Sequence, residues 1–165
     1  MGRGHAGKVA VITGAATGLG QAFARRLAEE SVNIGIADVT PAHETEAMVN
    51  AAGREVFSRT CDVASPESVR MFADAVLERY GHVDILVNNA GIYPRSSFAE
   101  IDYDQWRNVL AVNLDSAFLM CKAFVPGMQQ RHWGRVVNIA SNTFWLASPM
   151  RLHYITCLLY TSPSP

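Results

Sequence analysis

The segment TGAATGLG (residues 13–20) has three glycines in eight residues and joins two different sequence patterns. Before it lies KVAVIT (8–13), a short apolar run rich in β-branched residues. After it lies QAFARRLAEE (21–30), where apolar residues recur at helical spacing. Gly14 allows a tight turn, and the two later glycines let a pyrophosphate approach the helix N-terminus, where free N–H groups favour anions. A strand, a glycine-rich turn and a helix in this order predict a dinucleotide-binding unit.

Strand-like and helix-like segments alternate along the rest of the chain. The predicted strands are 8–13, 32–38, 54–62, 83–88 and 134–141, and the predicted helices are 21–30, 41–53, 65–81 and about 102–131. Such alternation predicts an α/β fold in which helices cover both faces of a parallel sheet. Right-handed crossovers make it a doubly wound, Rossmann-type sheet, with the ligand site at the carboxyl ends of the strands.

Composition narrows the function classes. The chain has 165 residues, of which 49% are hydrophobic, and its formal net charge is −1. This balance gives no reason to expect nucleic acid or an anionic membrane as a partner. The first apolar run, Val9–Ile12, is too short for a signal peptide or a membrane span. Three cysteines without CxxC spacing, Cys61, Cys121 and Cys157, argue against a disulfide framework or a metal site and favour a cytoplasmic protein.

Asp38 ends the second predicted strand, 18 residues after Gly20. A carboxylate there accepts hydrogen bonds from both ribose hydroxyls of an adenosine and repels a 2′-phosphate. No Lys or Arg lies in the glycine-rich turn or directly after Asp38. The sequence therefore favours NAD over NADP. The alternative is a solvated aspartate at the end of a strand.

Several motifs together resemble the short-chain dehydrogenase/reductase family, over residues 8 to about 156. The motifs are TGAATGLG (13–20), CDV (61–63), NNAG (88–91), Asn113 in the long helix, Ser141 after the fifth strand and Tyr154 thirteen residues later. The resemblance implies that the cofactor is bound by Gly14, Thr17, Gly18, Leu19, Gly20, Asp38, Asp62, Val63, Asn89 and Gly91. Each motif alone has an ordinary explanation, such as turn chemistry for NNAG.

The resemblance also implies a reaction, namely hydride transfer between a nicotinamide and an alcohol or ketone. Tyr154 would be the general acid/base at the substrate oxygen, and Ser141 would hold that oxygen. Asn113 would bend its helix and hold a water in the proton relay. The ordinary alternatives are a helix cap for Ser141, a half-buried aromatic for Tyr154 and a polar helix residue for Asn113.

Position 158 departs from the family pattern. The family has a lysine four residues after the tyrosine, whose cation stabilises the phenolate and binds the nicotinamide ribose, but this chain has Leu158. Loss of general acid/base catalysis lowers a rate by roughly 100- to 10,000-fold. We therefore predict no measurable dehydrogenase activity for the chain as it stands.

The last nine residues, CLLYTSPSP (157–165), are a natural translation of a DNA string that resembles a transposase-based sequencing adapter. We predict a truncated dehydrogenase domain at 1–156, followed by a foreign tail that does not continue the helix. A biological truncation is the alternative. The sheet would then be incomplete on its C-terminal side, and the homodimer or homotetramer that family members form would be in doubt for this chain.

The substrate stays open at this level. Phe144, Trp145 and Leu146 follow Ser141, and Tyr93 follows NNAG, so aromatic groups could line an apolar pocket or pack beneath the loop. Members acting on aromatic alcohols resemble this stretch, but fatty-acyl reductases and sugar or polyol dehydrogenases share the same core. Three function classes follow: a small-molecule alcohol dehydrogenase, a nucleotide-binding module without catalysis, and a chain that does not fold stably.

Overall fold

The computed structural model describes residues 4–145 and 149–161, without the side chains of residues 144 and 159–161. The strands are β1 (Val9–Thr13), β2 (Asn33–Asp38), β3 (Val56–Thr60), β4 (Ile85–Asn88) and β5 (Arg135–Asn138). The α-helices are α1 (Gly18–Glu29), α2 (His43–Ala51), α3 (Pro66–Tyr80), α4 (Tyr103–Leu110), α5 (Ser116–Gln130) and α6 (Leu152–Thr161). A π-helical turn (Ala111–Asp115) joins α4 to α5, and a 3-10 turn (Asn142–Phe144) precedes α6.

The sheet confirms the predicted fold class. Its order is β3-β2-β1-β4-β5, and every pair is parallel. The chain adds β2 and β3 on one side of β1 and then returns to place β4 on the other side. The carboxyl ends of β1 and β4 are therefore the point where the strand order reverses, where open α/β sheets bind ligands.

Strand β1 is buried on both faces of the sheet. Val11 belongs to a core cluster that includes Phe72 of α3, whereas Ile12 belongs to a second cluster that includes Ala24 of α1. All four side chains are fully buried. This double burial explains why the strand has an unbroken apolar run instead of an alternating pattern.

Helix α3 has the ends that its sequence predicts. Ser65 caps it by accepting a hydrogen bond from the N–H of Ser68, and Pro66 takes the first helical position. Gly81 ends the helix in the left-handed region, with φ of +76°.

The region predicted as one long helix at about 102–131, which the resemblance implied to bend at Asn113, is helical but irregular at Ala111–Asp115. Asp102 caps α4 by accepting from the N–H of Gln105, and helical structure continues from residue 103 to 130 through the π-helical turn. This 28-residue helix is long and apolar enough to cross a membrane by length and composition alone. Its inner side packs into the core, where Met120 and Phe124 are buried. A core helix passes the same length and composition test.

Strand β5 is the least covered part of the sheet. All four of its residues are exposed, including Val136 and Val137. Among the described residues no strand pairs with its outer edge. The sheet is thus incomplete on this side, as the sequence predicts.

Helix α6 corrects one expectation from the sequence. We expected the tail after residue 156 not to continue the helix, but α6 runs to Thr161. The reason is local, since neither Gly nor Pro occurs between Leu152 and Thr161. Cys157 and Leu158 are buried in a cluster with Val109 of α4. Any apolar residues three and four positions after Tyr154 would take this inner face.

Candidate cofactor and active site

The NNAG segment joins the two strands at the point where the strand order reverses. The Asn89 side-chain amide donates to the carbonyl oxygens of Thr13 and Gly14, both at 2.9 Å. The backbone N–H groups of Asn89 and Ala90 donate to the Thr13 hydroxyl, at 3.0 and 2.9 Å. Asn89 therefore fixes the glycine-rich turn to the end of β4. The sequence did not predict the role of Thr13, although its position directly before Gly14 was a signal.

Two of the three glycines in the glycine-rich turn, Gly14 and Gly20, leave no space for a side chain. A Cβ on Gly14, whose φ is +65°, would lie 2.8 Å from Ala90 Cα. A Cβ on Gly20 would lie 2.2 Å from the Gly14 carbonyl oxygen and 2.7 Å from Asn89 Nδ2. Gly18 differs, because nothing lies within 4 Å of a Cβ built there, while its φ of +62° still favours glycine. The open side of the turn is thus at Gly18, at the start of α1.

The N-terminus of α1 is free to bind an anion. Thr17 is the N-cap residue, but its side chain makes no capping hydrogen bond. The first backbone N–H groups of the helix therefore have no side-chain acceptor at the cap. The turn is held from behind by Thr45, whose hydroxyl donates to the Ala15 carbonyl at 2.8 Å. Leu19 lies in this first turn, and its side chain is exposed.

Asp38 ends β2 beside the glycine-rich turn. Its Oδ2 accepts from the N–H of Ala16 at 2.8 Å, and its Oδ1 accepts from the N–H of Thr40 at 2.9 Å. Both oxygens are therefore held in a fixed orientation. A carboxylate oxygen accepts more than one hydrogen bond, so each retains capacity for a ribose hydroxyl.

One cavity of about 300 Å³ collects most of the predicted cofactor residues. The predicted residues in its lining are Gly14, Thr17, Asp38, Asp62, Val63, Asn89 and Gly91. The lining also contains residues that the sequence did not predict, namely Ala37, Val39, Cys61, Ala90, Ile92 and Val112.

Asp62 is oriented by the N–H of Ala64, which donates to its Oδ1 at 2.9 Å. Burial raises the pKa of the Cys61 thiol, so this cysteine is an uncharged wall residue rather than a nucleophile.

These features fit a dinucleotide. The uncapped helix start suits a pyrophosphate, the open side at Gly18 leaves room for its approach, and Asp38 has acceptors for a ribose. No group of three or more possible metal ligands occurs within the described residues.

Asn113 lies in the π-helical turn and faces the NNAG segment. Its Oδ1 accepts from the N–H of Ile92 at 2.8 Å, and its Nδ2 donates to the carbonyl oxygen of Ile92 at 2.7 Å. A Cβ on Gly91 would lie 2.9 Å from Asn113 Oδ1. The asparagine therefore fixes the floor of the cavity where its helix departs from α-helical geometry.

Ser141 and Tyr154 lie on neighbouring elements. The Ser141 hydroxyl oxygen accepts from the N–H and the hydroxyl of Thr143, at 3.3 and 3.1 Å, and so caps the 3-10 turn. Tyr154 lies in the first turn of α6, and its ring centroid is 6.0 Å from that of Tyr93. No hydrogen bond joins the Ser141 and Tyr154 hydroxyls in the described part of the chain.

The segment between these two residues is described only in part. Trp145 is exposed, at 73% of its surface, and so does not line a closed pocket. The predicted pocket residue Leu146 and the side chain of Phe144 lie outside the described residues. Leu158, where the family has lysine, is 5% exposed and packs in the apolar cluster beneath Tyr154.

Comparison with known proteins identifies the class to which this fold and site belong. The family model for short chain dehydrogenases matches residues 8–157, which is nearly the whole chain. The chain belongs to the short-chain dehydrogenase/reductase family of oxidoreductases, which bind a nicotinamide cofactor.

Individual relatives agree with this assignment. The chain is 34% identical over 152 residues to the D-beta-hydroxybutyrate dehydrogenase of Rhizobium meliloti, covering 90% of this chain and 59% of the relative. It is 37% identical over 151 residues to the D-threitol dehydrogenase of Mycolicibacterium smegmatis, covering 90% and 58%. The structure of an NAD+-bound xylitol dehydrogenase superposes with a TM-score of 0.90 at 34% identity, covering 96% and 62%. The chain thus spans about three fifths of the length of the proteins that it matches.

Proposed function

We propose that this chain is the cofactor-binding part of an NAD-dependent alcohol dehydrogenase or ketone reductase. The observation that carries the proposal is the carboxylate of Asp38, which is held in a fixed orientation beside the glycine-rich turn. Asp38 and residues of that turn line the same cavity. A carboxylate held by two backbone N–H groups cannot swing away from a 2′-phosphate, so it disfavours NADP by charge repulsion. The cofactor residues of the proposal are Gly14, Thr17, Gly18, Leu19, Gly20, Asp38, Asp62, Val63, Asn89 and Gly91.

Side chains of the protein carry out the proton transfer in the proposed reaction. The nicotinamide, when bound, accepts the hydride from an alcohol or returns it to a ketone. Ser141 holds the substrate oxygen by hydrogen bonding, and Tyr154 takes the alcohol proton in oxidation and gives it back in reduction. Asn113 keeps the backbone of Ile92 in place beside this site. The substrate class is a small-molecule alcohol or ketone, with no role for nucleic acid or a membrane.

A second candidate is an NAD-binding chain without turnover. The observation that favours it is Leu158, which packs against Val109 and Cys157 and supplies no positive charge for a phenolate. The cofactor cavity does not depend on this residue. For the 165-residue chain as it stands, we therefore propose NAD binding without measurable hydride transfer.

The origin of residues 157–165 completes the proposal. We infer that the dehydrogenase domain of this chain ends at Thr156 and that the remaining residues are foreign. The intact protein would then carry a lysine four residues after Tyr154 and would form a homodimer or homotetramer in the cytoplasm.

Two measurements test these proposals. The midpoint of thermal unfolding of the whole chain is compared with and without NAD+, and NADH formation is followed with a panel of secondary alcohols. Stabilisation by NAD+ without NADH formation is the expected result. No stabilisation at millimolar NAD+ would refute cofactor binding, and turnover would refute inactivity. Reading the source DNA past codon 156 tests the tail, since we expect a continuing gene with a lysine codon in place of the Leu158 codon.

A further inference from the structure

An arginine and two tyrosines form a stack beside the proposed active site. The Arg151 guanidinium lies over the Tyr93 ring, 5.5 Å from its centroid. The Tyr93 ring centroid lies 6.0 Å from that of Tyr154, at an interplanar angle of 55°. A permanent positive charge is therefore held two contacts away from the proposed acid/base ring.

Five of the ten other described arginines have an acidic partner, whereas Arg151 has none. Arg25, Arg26, Arg70, Arg79 and Arg107 each form an ion pair with a carboxylate. Within residues 4–145 and 149–161, no carboxylate lies within ion-pair distance of Arg151, and its guanidinium has no hydrogen-bond acceptor. The Arg151 residue is nevertheless half-buried. Its five N–H donors are thus available to a ligand at a site where water alone solvates them incompletely.

The stack is held by the backbone around it. The N–H of Ser96 donates to the carbonyl oxygen of Met150 at 3.0 Å, which ties the loop after β4 to the residue before Arg151. The Gln105 side-chain amide donates to the Ser96 hydroxyl at 2.8 Å and fixes the same loop to α4. These contacts fix the backbone before Arg151 to the loop that carries Tyr93.

We propose that Arg151 is a specificity residue that binds the carboxylate of the substrate, so that the substrate class is a hydroxy acid or the corresponding oxo acid. This inference rests on the proposed function. In oxidation, the carbinol C–H leaves as hydride to NAD+, the hydroxyl proton passes to Tyr154, and the product is the oxo acid. The carboxylate takes no part in this bond exchange and stays paired with the Arg151 guanidinium in a charge-assisted hydrogen bond.

The test measures binding of acids and of their neutral amides to the whole chain with saturating NAD+. Lactate, 3-hydroxybutyrate and 4-hydroxypentanoate are each titrated by calorimetry against wild type, Arg151→Gln and Arg151→Lys. Arg70→Gln on the exposed side of α3 removes the same charge far from the stack and is the control. We expect Arg151→Gln to weaken binding of the preferred acid about 10- to 100-fold, with partial rescue by Arg151→Lys. Binding of the amides should be unchanged.

The outcomes separate this inference from the proposed function. If Arg151→Gln binds the acids as wild type does, or loses acid and amide affinity equally, the carboxylate role is wrong while the proposed function stands. If wild type binds NAD+ but neither acid nor amide, both the inference and the substrate part of the proposed function fall. If NAD+ itself does not bind while an acid still binds through Arg151, the proposed function fails alone. Selective loss of acid affinity in the glutamine variant, with unchanged thermal stability, supports the proposal.

Discussion

The side chain of Asn113 makes two hydrogen bonds with the backbone of Ile92. It accepts from the N–H at 2.8 Å and donates to the carbonyl at 2.7 Å, as a neighbouring strand would. The pair ties the π-helical turn to the end of the NNAG segment. It also explains the geometry of the helix, because the extra residue in the π-helical turn lies where Asn113 faces the cavity floor.

We expect Asn113→Ala to weaken the attachment of the cavity lining at Ile92 to the π-helical turn. The two hydrogen bonds are partly buried, so their loss should lower the free energy of unfolding by about 2 kcal/mol. NAD+ affinity should fall as well, because Gly91 and Ile92 line the cofactor cavity. Urea denaturation and NAD+ titration measure the two effects.

A matched variant gives the control for this prediction. Asn108→Ala removes an exposed asparagine from the adjoining helix α4 and should change both quantities little. Equal effects of the two substitutions would mean that helix propensity, and not the contact with Ile92, is responsible.

The packing at Gly20 leads to a second prediction. A Cβ at this position would lie 2.2 Å from a backbone oxygen that cannot move without shifting the glycine-rich turn. We expect Gly20→Ala to destabilise the fold by about 3 kcal/mol and to abolish stabilisation by NAD+. Thermal unfolding with and without NAD+ measures both.

Gly53→Ala separates steric conflict from backbone strain. Gly53 has φ of +69°, but nothing lies within 4 Å of a Cβ built there. This variant should lose about 1 kcal/mol and keep its response to NAD+. A Gly20→Ala protein that still responds to NAD+ would show that the turn adapts and would contradict the prediction.

Asp38 allows a third prediction, on cofactor choice. Asp38→Asn removes the charge and replaces one oxygen acceptor by an N–H donor that opposes the N–H of Ala16 or Thr40. NAD+ affinity should fall about tenfold, and the preference for NAD+ over NADP+ should shrink. Asp74→Asn, an exposed charge loss on α3, is the control and should leave both affinities unchanged. An unchanged preference in Asp38→Asn would exclude charge repulsion as its cause.

The positions of the candidate cofactor residues could be predicted because the backbone requirements at those positions are local. A glycine at a left-handed φ and a carboxylate at a strand end are visible as single letters at fixed spacing, and Gly14 and Asp38 lie where expected. The parallel sheet followed from alternating patterns for the same reason. The roles of Thr13 and Ile92 were missed because they act through backbone groups that any residue could supply.

The other half of the site depends on contacts that sequence spacing does not report. Apolar spacing tolerates one extra residue, so it did not predict the π-helical turn; only the family resemblance implied a bend in the helix at Asn113. The Ser141 hydroxyl caps its own 3-10 turn, which was the ordinary alternative beside its expected catalytic role. The stack of Arg151 on Tyr93 joins residues far apart in the chain and had no local signal.

His153 provides the last prediction, on pH. Its side chain is fully buried beside Tyr154, and its Nε2 has no hydrogen-bond partner among the described residues. Burial lowers the pKa of this imidazole below its usual value of 6.5 in the folded protein. The unfolded chain therefore binds the proton first, and the free energy of unfolding falls as the pH drops below about 6.5. In His153→Leu, this part of the pH dependence should be missing. Urea denaturation at pH 7.5 and 5.5 measures it, and His43→Gln, which removes an exposed histidine, should behave as wild type. Parallel pH profiles for wild type and His153→Leu would show that His153 does not stay neutral in the fold.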